Sequence, residues 1–253
     1  MEQLTNKMEI RNVSKTYFNR KNYFTAIEDV SFDVKEGEFL VLLGPGRCGK
    51  TVLLNIIAGL EEKTSGSIQY DGREVNGVNP EIAMVFQKTA LMPFKTVMEN
   101  VELGLKFSHM PKKERREICQ KYINLVGLQG FENAYPSALS GGMKQRVGIA
   151  RAYANNPKVL IMDEPFGALD AQTRYAMQEE ILRIWEEEKR TVLYVTNNIE
   201  EAIYLGTRIV LLSQCPATVK AVYDVDLPRP RNNVSKEFMD MRIQISDHTD
   251  LSI

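Results

Sequence analysis

Eight residues, Gly44-Pro45-Gly46-Arg47-Cys48-Gly49-Lys50-Thr51, restrict the fold of this chain more than any other segment. They fit the pattern G-x-x-x-x-G-K-[ST]. Before them runs Phe39–Leu43, short and unbroken in its apolar character, which reads as a strand. After them Thr51–Ala58 reads as a helix. Strand, glycine-rich turn and helix in that order form a phosphate cradle, because backbone N–H groups and a helix N-terminus converge on the turn. A chain of this length meets the eight-residue pattern by chance about one time in a hundred, so the remaining sequence must decide.

Further apolar runs rich in β-formers recur at Met8–Val13, Ile82–Phe86, Val159–Met162, Val192–Val195 and Ile209–Leu212. Continuous rather than alternating apolar runs suit strands buried on both faces, as in parallel sheets. Between the Ile82 and Val159 runs the pattern is helical. It includes Lys112–Val126 and Gly141–Asn155, with Pro111, Gly130 and Pro136 as breaks. Residues 88–156 thus read as a helical insertion in a parallel-sheet core. This insertion carries eleven Lys/Arg against five Glu, although the whole chain has a formal charge of −1. A basic segment suits anionic lipid or acidic loops of a partner, and equally a solvated helical face. Pro228-Arg229-Pro230-Arg231 closes the folded part, and a short helix is expected around Ser235–Ile245 in the tail.

Two later segments complete the pattern. Leu139-Ser140-Gly141-Gly142-Met143-Lys144-Gln145 opens the second predicted helix of the insertion, and Val159-Leu160-Ile161-Met162 ends in Asp163-Glu164. In this order with the phosphate loop, they make the chain resemble the ATP-binding subunits of ABC transporters, from about Met8 to Arg231. The segment Leu227-Pro228-Arg229-Pro230-Arg231 also looks like subunits serving nitrate, sulfonate and taurine uptake. The resemblance implies an α/β fold: a P-loop NTPase core with a mainly parallel sheet, an antiparallel β part near the N-terminus and an inserted helical subdomain. It implies one ATP-binding domain over residues 1–231, with the core at 1–87 and 157–231, the helical subdomain at 88–156, and a C-terminal tail at 232–253.

Site roles follow residue by residue. Lys50 would reach the β- and γ-phosphates of ATP, and Thr51 would ligate Mg²⁺ with Asp163. Glu164 would polarise the attacking water as general base. Gln87, after the strand Ile82–Phe86, would sense Mg²⁺ and γ-phosphate. Tyr17 would stack on adenine, with Phe18 as the competing aromatic. Ser140, Gly141 and Gly142 would face the nucleotide of another subunit from a helix N-terminus that Ser140 also caps. Asp170, in Ala168-Leu169-Asp170, would sit at the dimer seam. The loop itself departs from the family, which commonly has Ser-Gly at Gly46-Arg47 and Ser-Thr at Thr51-Val52. Arg47 either contacts phosphate or points to solvent, and solvent is favoured. Cys48 reads as a small gap-filler.

One departure bears on chemistry. After Thr191–Val195 the family reads Thr-His-Asp; this chain reads Thr196-Asn197-Asn198, and its only histidines are His109 and His248. Asn197 can still donate an amide hydrogen to a phosphate oxygen, but it does not titrate. The expectation is an ATPase with reduced help at this position, since Lys50 and Glu164 remain. The alternatives are a partner chain supplying a complete site, and a subunit that binds ATP to dimerise with little turnover.

The resemblance implies a second ATP-binding subunit, as a homodimer, together with transmembrane permease subunits and, indirectly, a solute-binding protein. Leu91, Met92 and Phe94 would offer an apolar groove to a cytoplasmic permease helix, or else be buried within the domain. No apolar run approaches the ~18 residues needed to span a bilayer. Met1–Lys15 lacks the apolar core of a secretory signal. Cys48, Cys119 and Cys215 lack metal spacing and leave one over from any pairing, as reduced cytosolic thiols would. The expected location is peripheral, on the cytoplasmic face of the cell membrane. Translation-factor-like relatives carry two such domains and chromosome-maintenance ATPases a long coiled coil, so no nucleic-acid partner is expected. The extra regulatory β-domain of some sugar-importer ATPases is not expected either.

Overall fold

The computed structural model describes residues 5–19, 22–167 and 169–249. In chain order its first elements are β1 (Asn6–Asn19), β2 (Asn22–Lys35), β3 (Phe39–Leu43), α1 (Lys50–Ile57), β4 (Ser65–Tyr70), β5 (Arg73–Glu74) and β6 (Ile82–Val85). Then come α2 (Val97–Val101), α3 (Leu103–Phe107), α4 (Lys112–Leu125), α5 (Gly141–Ala154), β7 (Val159–Asp163) and α6 (Ala171–Glu188). The last are β8 (Thr191–Thr196), α7 (Ile199–Leu205), β9 (Arg208–Leu212), β10 (Val219–Asp224) and α8 (Lys236–His248). They divide into two compact units, Met1–Asn79 with Lys189–Ile253, and Pro80–Glu188. Ala168 and the last four residues of the tail lie outside the described residues, as do the first four.

In the first unit, β3 lies between β8 and β9 and runs parallel to both, with Phe39 opposite Val192 and Leu43 opposite Leu211. All five β3 side chains are buried, as are all six of β8. That is why β3 is apolar throughout and β8 is apolar between its terminal threonines: neither face meets water. Each such side chain contributes about 1.5–3 kcal/mol on burial. β10 closes this edge antiparallel to β9. A separate antiparallel sheet runs in the order β2-β1-β4-β5. The expected mixture of parallel core and antiparallel N-terminal part is therefore present.

In the second unit, β6 and β7 pair in parallel from Ile82–Val159 to Val85–Met162. Helix α5 packs against α2, α3, α4 and β6. Its Val147, Ile149, Ala150 and Tyr153 are buried, and Tyr153 meets the Tyr122 ring of α4 at 5.9 Å. Helices α2 and α3 are short and meet at Glu102. Glu102 is buried and pairs with Lys106 at 2.6 Å and Arg115 at 3.3 Å.

The tail helix starts one residue after Ser235, whose side chain accepts from the Phe238 N–H. Phe238 and Ile245 are buried, and α8 packs on α7. Arg242 adds an ion pair to Glu200 at 3.1 Å.

Candidate nucleotide site

The first unit carries the phosphate loop between β3 and α1. Gly49 precedes the helix with φ +113° and makes no side-chain cap. A Cβ there would stand 2.6 Å from the Ala26 carbonyl oxygen, so this turn requires glycine. Glycine at this position offers the first N–H groups of α1 no capping side chain, which suits an anion site at a helix start. Lys50 is only 4% exposed. Its Nζ donates to the carbonyls of Gly44 at 2.9 Å and Pro45 at 2.7 Å, so the cation is folded into the loop. Arg47 is exposed with φ +62°, Gly46 borders open space, and Thr51 is exposed at the helix start. Val52 is half-buried. Cys48 is buried, and burial raises its thiol pKa despite the nearby Lys50.

Asn197 belongs to the same unit. It is exposed at the carboxyl end of β8. The neighbouring Thr196 carbonyl accepts from Gly44 N–H at 3.3 Å, which brings the Asn197 turn beside the start of the phosphate loop. Asn198 caps α7 by accepting from Glu201 N–H at 2.8 Å. Thr196 Oγ1 also accepts from Asn198 N–H at 3.1 Å and donates to the buried Glu201 carboxylate. The turn holding Asn197 is thus fixed on both sides.

Tyr17 lies near the tip of the β1–β2 hairpin, 38% exposed. It stacks beside its cross-strand partner Phe24, with ring centroids 6.5 Å apart. Lys15 Nζ sits 4.9 Å from the Tyr17 ring centre, and the hydroxyl donates to Glu61 at 2.5 Å. Burial, then the Glu61 bond and charge, push the phenol up to about 12. Phe18 pairs with Tyr23 and is more exposed than Tyr17, at 78%.

The second unit carries the acidic residues. Asp163 ends β7 and is buried. Glu164 follows with φ +41°, a left-handed conformation uncommon for a non-glycine residue, and it is half-buried. Its carbonyl accepts from Gly167 N–H at 3.1 Å. Gln87 is exposed after β6, and its Nε2 would be 3.3 Å from a Cβ built on Gly167. The structure therefore brings Gln87 to the Glu164 loop. Asp170 accepts from Thr173 N–H at 3.0 Å, and that bond lowers its pKa. Ser140 caps α5 by accepting from Met143 N–H at 3.3 Å. Ser140 and Gly141 are exposed, whereas Gly142 is buried with the Thr173 methyl 2.9 Å from where its Cβ would be.

Among the described residues, no three His, Cys, Asp or Glu side chains are grouped to hold a metal ion unaided. The donors named for Mg²⁺, a hydroxyl on Thr51, a carboxylate on Asp163 and an amide on Gln87, are nevertheless hard oxygen ligands. They are few, as suits an ion that keeps water and phosphate oxygens.

Two residues escaped sequence reasoning because they act on backbone. Buried Asn100 accepts from Met92 N–H at 2.8 Å and donates to the carbonyls of Met92, Lys95 and Thr96 at 3.0–3.2 Å. This pins a loop on which Phe94 is 70% exposed and Met92 37%, while Leu91 is half-buried. Arg151 holds the preceding residues, Thr89 and Ala90. A cavity of about 910 Å³ in this unit is walled by Leu103, Phe107, Met110, Tyr122 and Arg151 among others; Leu91, Met92 and Phe94 do not line it.

Comparison with known proteins bears on the family. Residues 27–167 match the ABC transporter family. The taurine import ATP-binding protein of Rhizobium johnstonii is 48% identical over 204 residues, covering 81% of this chain and 78% of that protein. The nitrate import ATP-binding protein of Synechococcus elongatus is 43% identical over 222 residues, covering 87% of this chain and 81% of that protein. A dimeric ATP-binding cassette solved in a post-hydrolysis state with ADP and phosphate superposes with a TM-score of 0.77 at 34% identity, over 87% of this chain and all of that one. A match across more than half of the chain and two such relatives leave one conclusion: this chain belongs to the ABC transporter family as an ATP-binding subunit, an ABC-type ATPase.

Proposed function

We propose that this chain powers an importer of small anions of the nitrate, sulfonate or taurine type by hydrolysing ATP as a homodimer. The observation that carries the reading is Lys50, buried and turned into a glycine-dependent loop at the end of a buried parallel strand. The cargo class is supported by relatives named for taurine and nitrate import. Permease subunits supply the membrane path, because no helix among the described residues is long and apolar enough to cross a membrane. The subunit works at the cytoplasmic face of the cell membrane, with a solute-binding protein delivering cargo. Residues 1–231 form the ATP-binding domain, with 88–156 as its helical subdomain and 232–253 as a tail.

Lys50 and the loop amides hold the β- and γ-phosphates. Glu164 accepts the proton of the attacking water. Asn197 donates an amide hydrogen to the γ-phosphate, and Gln87 reports its presence. Tyr17 stacks on adenine. Ser140, Gly141 and Gly142 of one subunit face the nucleotide held by the other, with Asp170 at their seam. Thr51, Asp163 and Gln87 would hold Mg²⁺, which supplies neutralisation of phosphate charge. Exposed Phe94 and Met92, with the nearby cavity, receive a permease helix. Steady-state phosphate release from MgATP by the purified chain tests turnover. Uptake of labelled taurine, nitrate and an alkanesulfonate by cells lacking the gene tests cargo. Binding of ATP without phosphate release, alone or with permease, would leave only a dimerising subunit.

A further inference from the structure

Arg151 has no part in the chemistry above, yet its guanidinium is committed twice to one short stretch of backbone. Nη1 donates to the Ala90 carbonyl at 3.0 Å and Nη2 to the Thr89 carbonyl at 2.8 Å. Two parallel donors on adjacent carbonyls fix both position and orientation, which a single-point cation cannot do. Arg151 is half-buried, and burial lowers the pKa of its guanidinium.

The stretch it holds is strained. Ala90 has φ +43°, a left-handed conformation that alanine keeps only where its surroundings enforce it. Its flanking carbonyls are the ones Arg151 binds. Three residues earlier stands Gln87, whose Nε2 lies beside Gly167 in the loop that starts at Glu164. A Cβ on Gly167 would also be 3.4 Å from the Glu164 carbonyl oxygen. On its other side Arg151 lines the 910 Å³ cavity of the same unit. Its carbonyl accepts from Asn155 Nδ2 at 3.0 Å, and Asn155 packs so closely on Gly104 that a Cβ there would overlap it at 2.0 Å.

We infer that Arg151 is a positioning residue: it clamps Thr89-Ala90 so that Gln87 stays at the Glu164 loop, and it joins that clamp to the wall of the cavity. The inference rests on the roles proposed above for Gln87 and Glu164.

A double-mutant cycle on the full-length chain tests it, with steady-state phosphate release measured from limiting to saturating MgATP and thermal melting recorded in parallel. Arg151→Ala lowers kcat about ten- to a hundred-fold and changes KM less than about threefold, because the group it misplaces acts after ATP is bound. In a Gln87→Ala background the same replacement changes kcat less than about twofold, since its route is already cut. Arg151→Lys keeps the charge and one donor and recovers part of the loss; the cycle is read with this variant if Arg151→Ala does not fold. Losses that simply multiply in the double variant overturn the inference, as does wild-type kcat in Arg151→Ala. A wild-type chain that releases no phosphate overturns instead the reading of the nucleotide site, before any variant is compared.

Discussion

Arg231 Nη1 donates to the carbonyl of Gly206 at 2.5 Å, tying the last residue of the Pro-Arg-Pro-Arg segment to the exit of α7. The same guanidinium reaches the carbonyls of Ile203 at 2.5 Å, Tyr204 at 3.2 Å and Val225 at 2.9 Å, and Nε reaches Leu227 at 3.2 Å. Arg229 covers Leu205 at 2.6 Å. A helix leaves its last carbonyls without partners, and a seven-residue helix is too short to hold itself. The two arginines supply the missing donors and complement the negative end of the helix dipole. The motif that resembles anion-uptake subunits thus has a structural reason of its own. It holds the helix whose other end, Asn198, adjoins Asn197.

Arg231→Ala is therefore expected to lower stability by about 2–4 kcal/mol, since several buried carbonyls lose their donor at once. For a chain of this size that is roughly 5–12 °C in melting temperature. Arg231→Lys recovers little, because an ammonium cannot fork across the same carbonyls. Differential scanning fluorimetry decides it: a melt within about 2 °C of wild type would show the clamp to be dispensable.

The three cysteines should differ sharply in reactivity. Cys215 is exposed, whereas Cys48 and Cys119 are buried. Burial raises both buried thiols, Cys119 up to about 12 with help from the Glu102 charge. A raised pKa leaves the two buried thiols protonated and unreactive at pH 8, while Cys215 is open to a reagent arriving from solvent. Titration with a colorimetric disulfide reagent at pH 8 should find one fast thiol in the native chain, and all three in guanidinium. Fast loss of ATP binding during that single modification would contradict the burial of Cys48.

Much of the frame was legible because it is written in unbroken apolar runs. β3, β7, β8 and β9 are buried on both faces, and no turn residue interrupts them. Helix α5 announced itself through Ser140, and α8 through Ser235. Less visible were β2, whose register against β1 shifts repeatedly, and α6, which buries only Met177, Gln178, Ile181, Ile184 and Trp185 over eighteen residues. Asn100 and Arg151 could not be found by pattern, and although the Pro-Arg-Pro-Arg segment was visible, the role of Arg231 within it was not. Each binds backbone carbonyls, and no side-chain spacing encodes where a carbonyl will point.

Lys50→Ala should abolish tight MgATP binding. The replaced cation is the charged donor in a loop otherwise lined by amides. In the wild type it already bridges the carbonyls of Gly44 and Pro45, so its loss also loosens the loop before nucleotide arrives. Equilibrium titration with a fluorescent ATP analogue measures this, and unchanged affinity would remove Lys50 from the site.

Glu164→Gln should bind ATP, stall turnover and accumulate as an ATP-dependent dimer. The amide keeps the shape and hydrogen bonding of the carboxylate but cannot take the water's proton. Ser140 and Gly141 are exposed at the start of α5, free to meet the nucleotide of a second copy. Light scattering with and without ATP reads the outcome. A variant that stays monomeric under conditions that dimerise wild type would contradict assembly around shared nucleotide.

Asn197→His should raise the maximal ATPase rate. The position stands where the family carries histidine, and Asn197 is exposed at the end of β8 rather than packed. Its turn is anchored to the phosphate loop by the Gly44–Thr196 hydrogen bond and to α7 by the Asn198 cap, so a longer side chain starts from a fixed base. Histidine reaches further than asparagine and can carry a proton, which adds a charge-assisted contact as charge builds on the γ-phosphate. Such a contact is worth roughly 1–3 kcal/mol, about five- to a hundred-fold in rate. The gain belongs to kcat more than to apparent ATP affinity, because in the proposed site Lys50 and the loop amides hold the ground-state phosphates. A protonated histidine also makes the rate depend on pH near neutrality, a dependence that asparagine cannot confer. An unchanged or lower rate, with melting temperature and ATP binding intact, would mean that the altered loop at Gly46, Arg47 and Val52 has adapted around asparagine. Asn197 would then be part of a complete site of a different design.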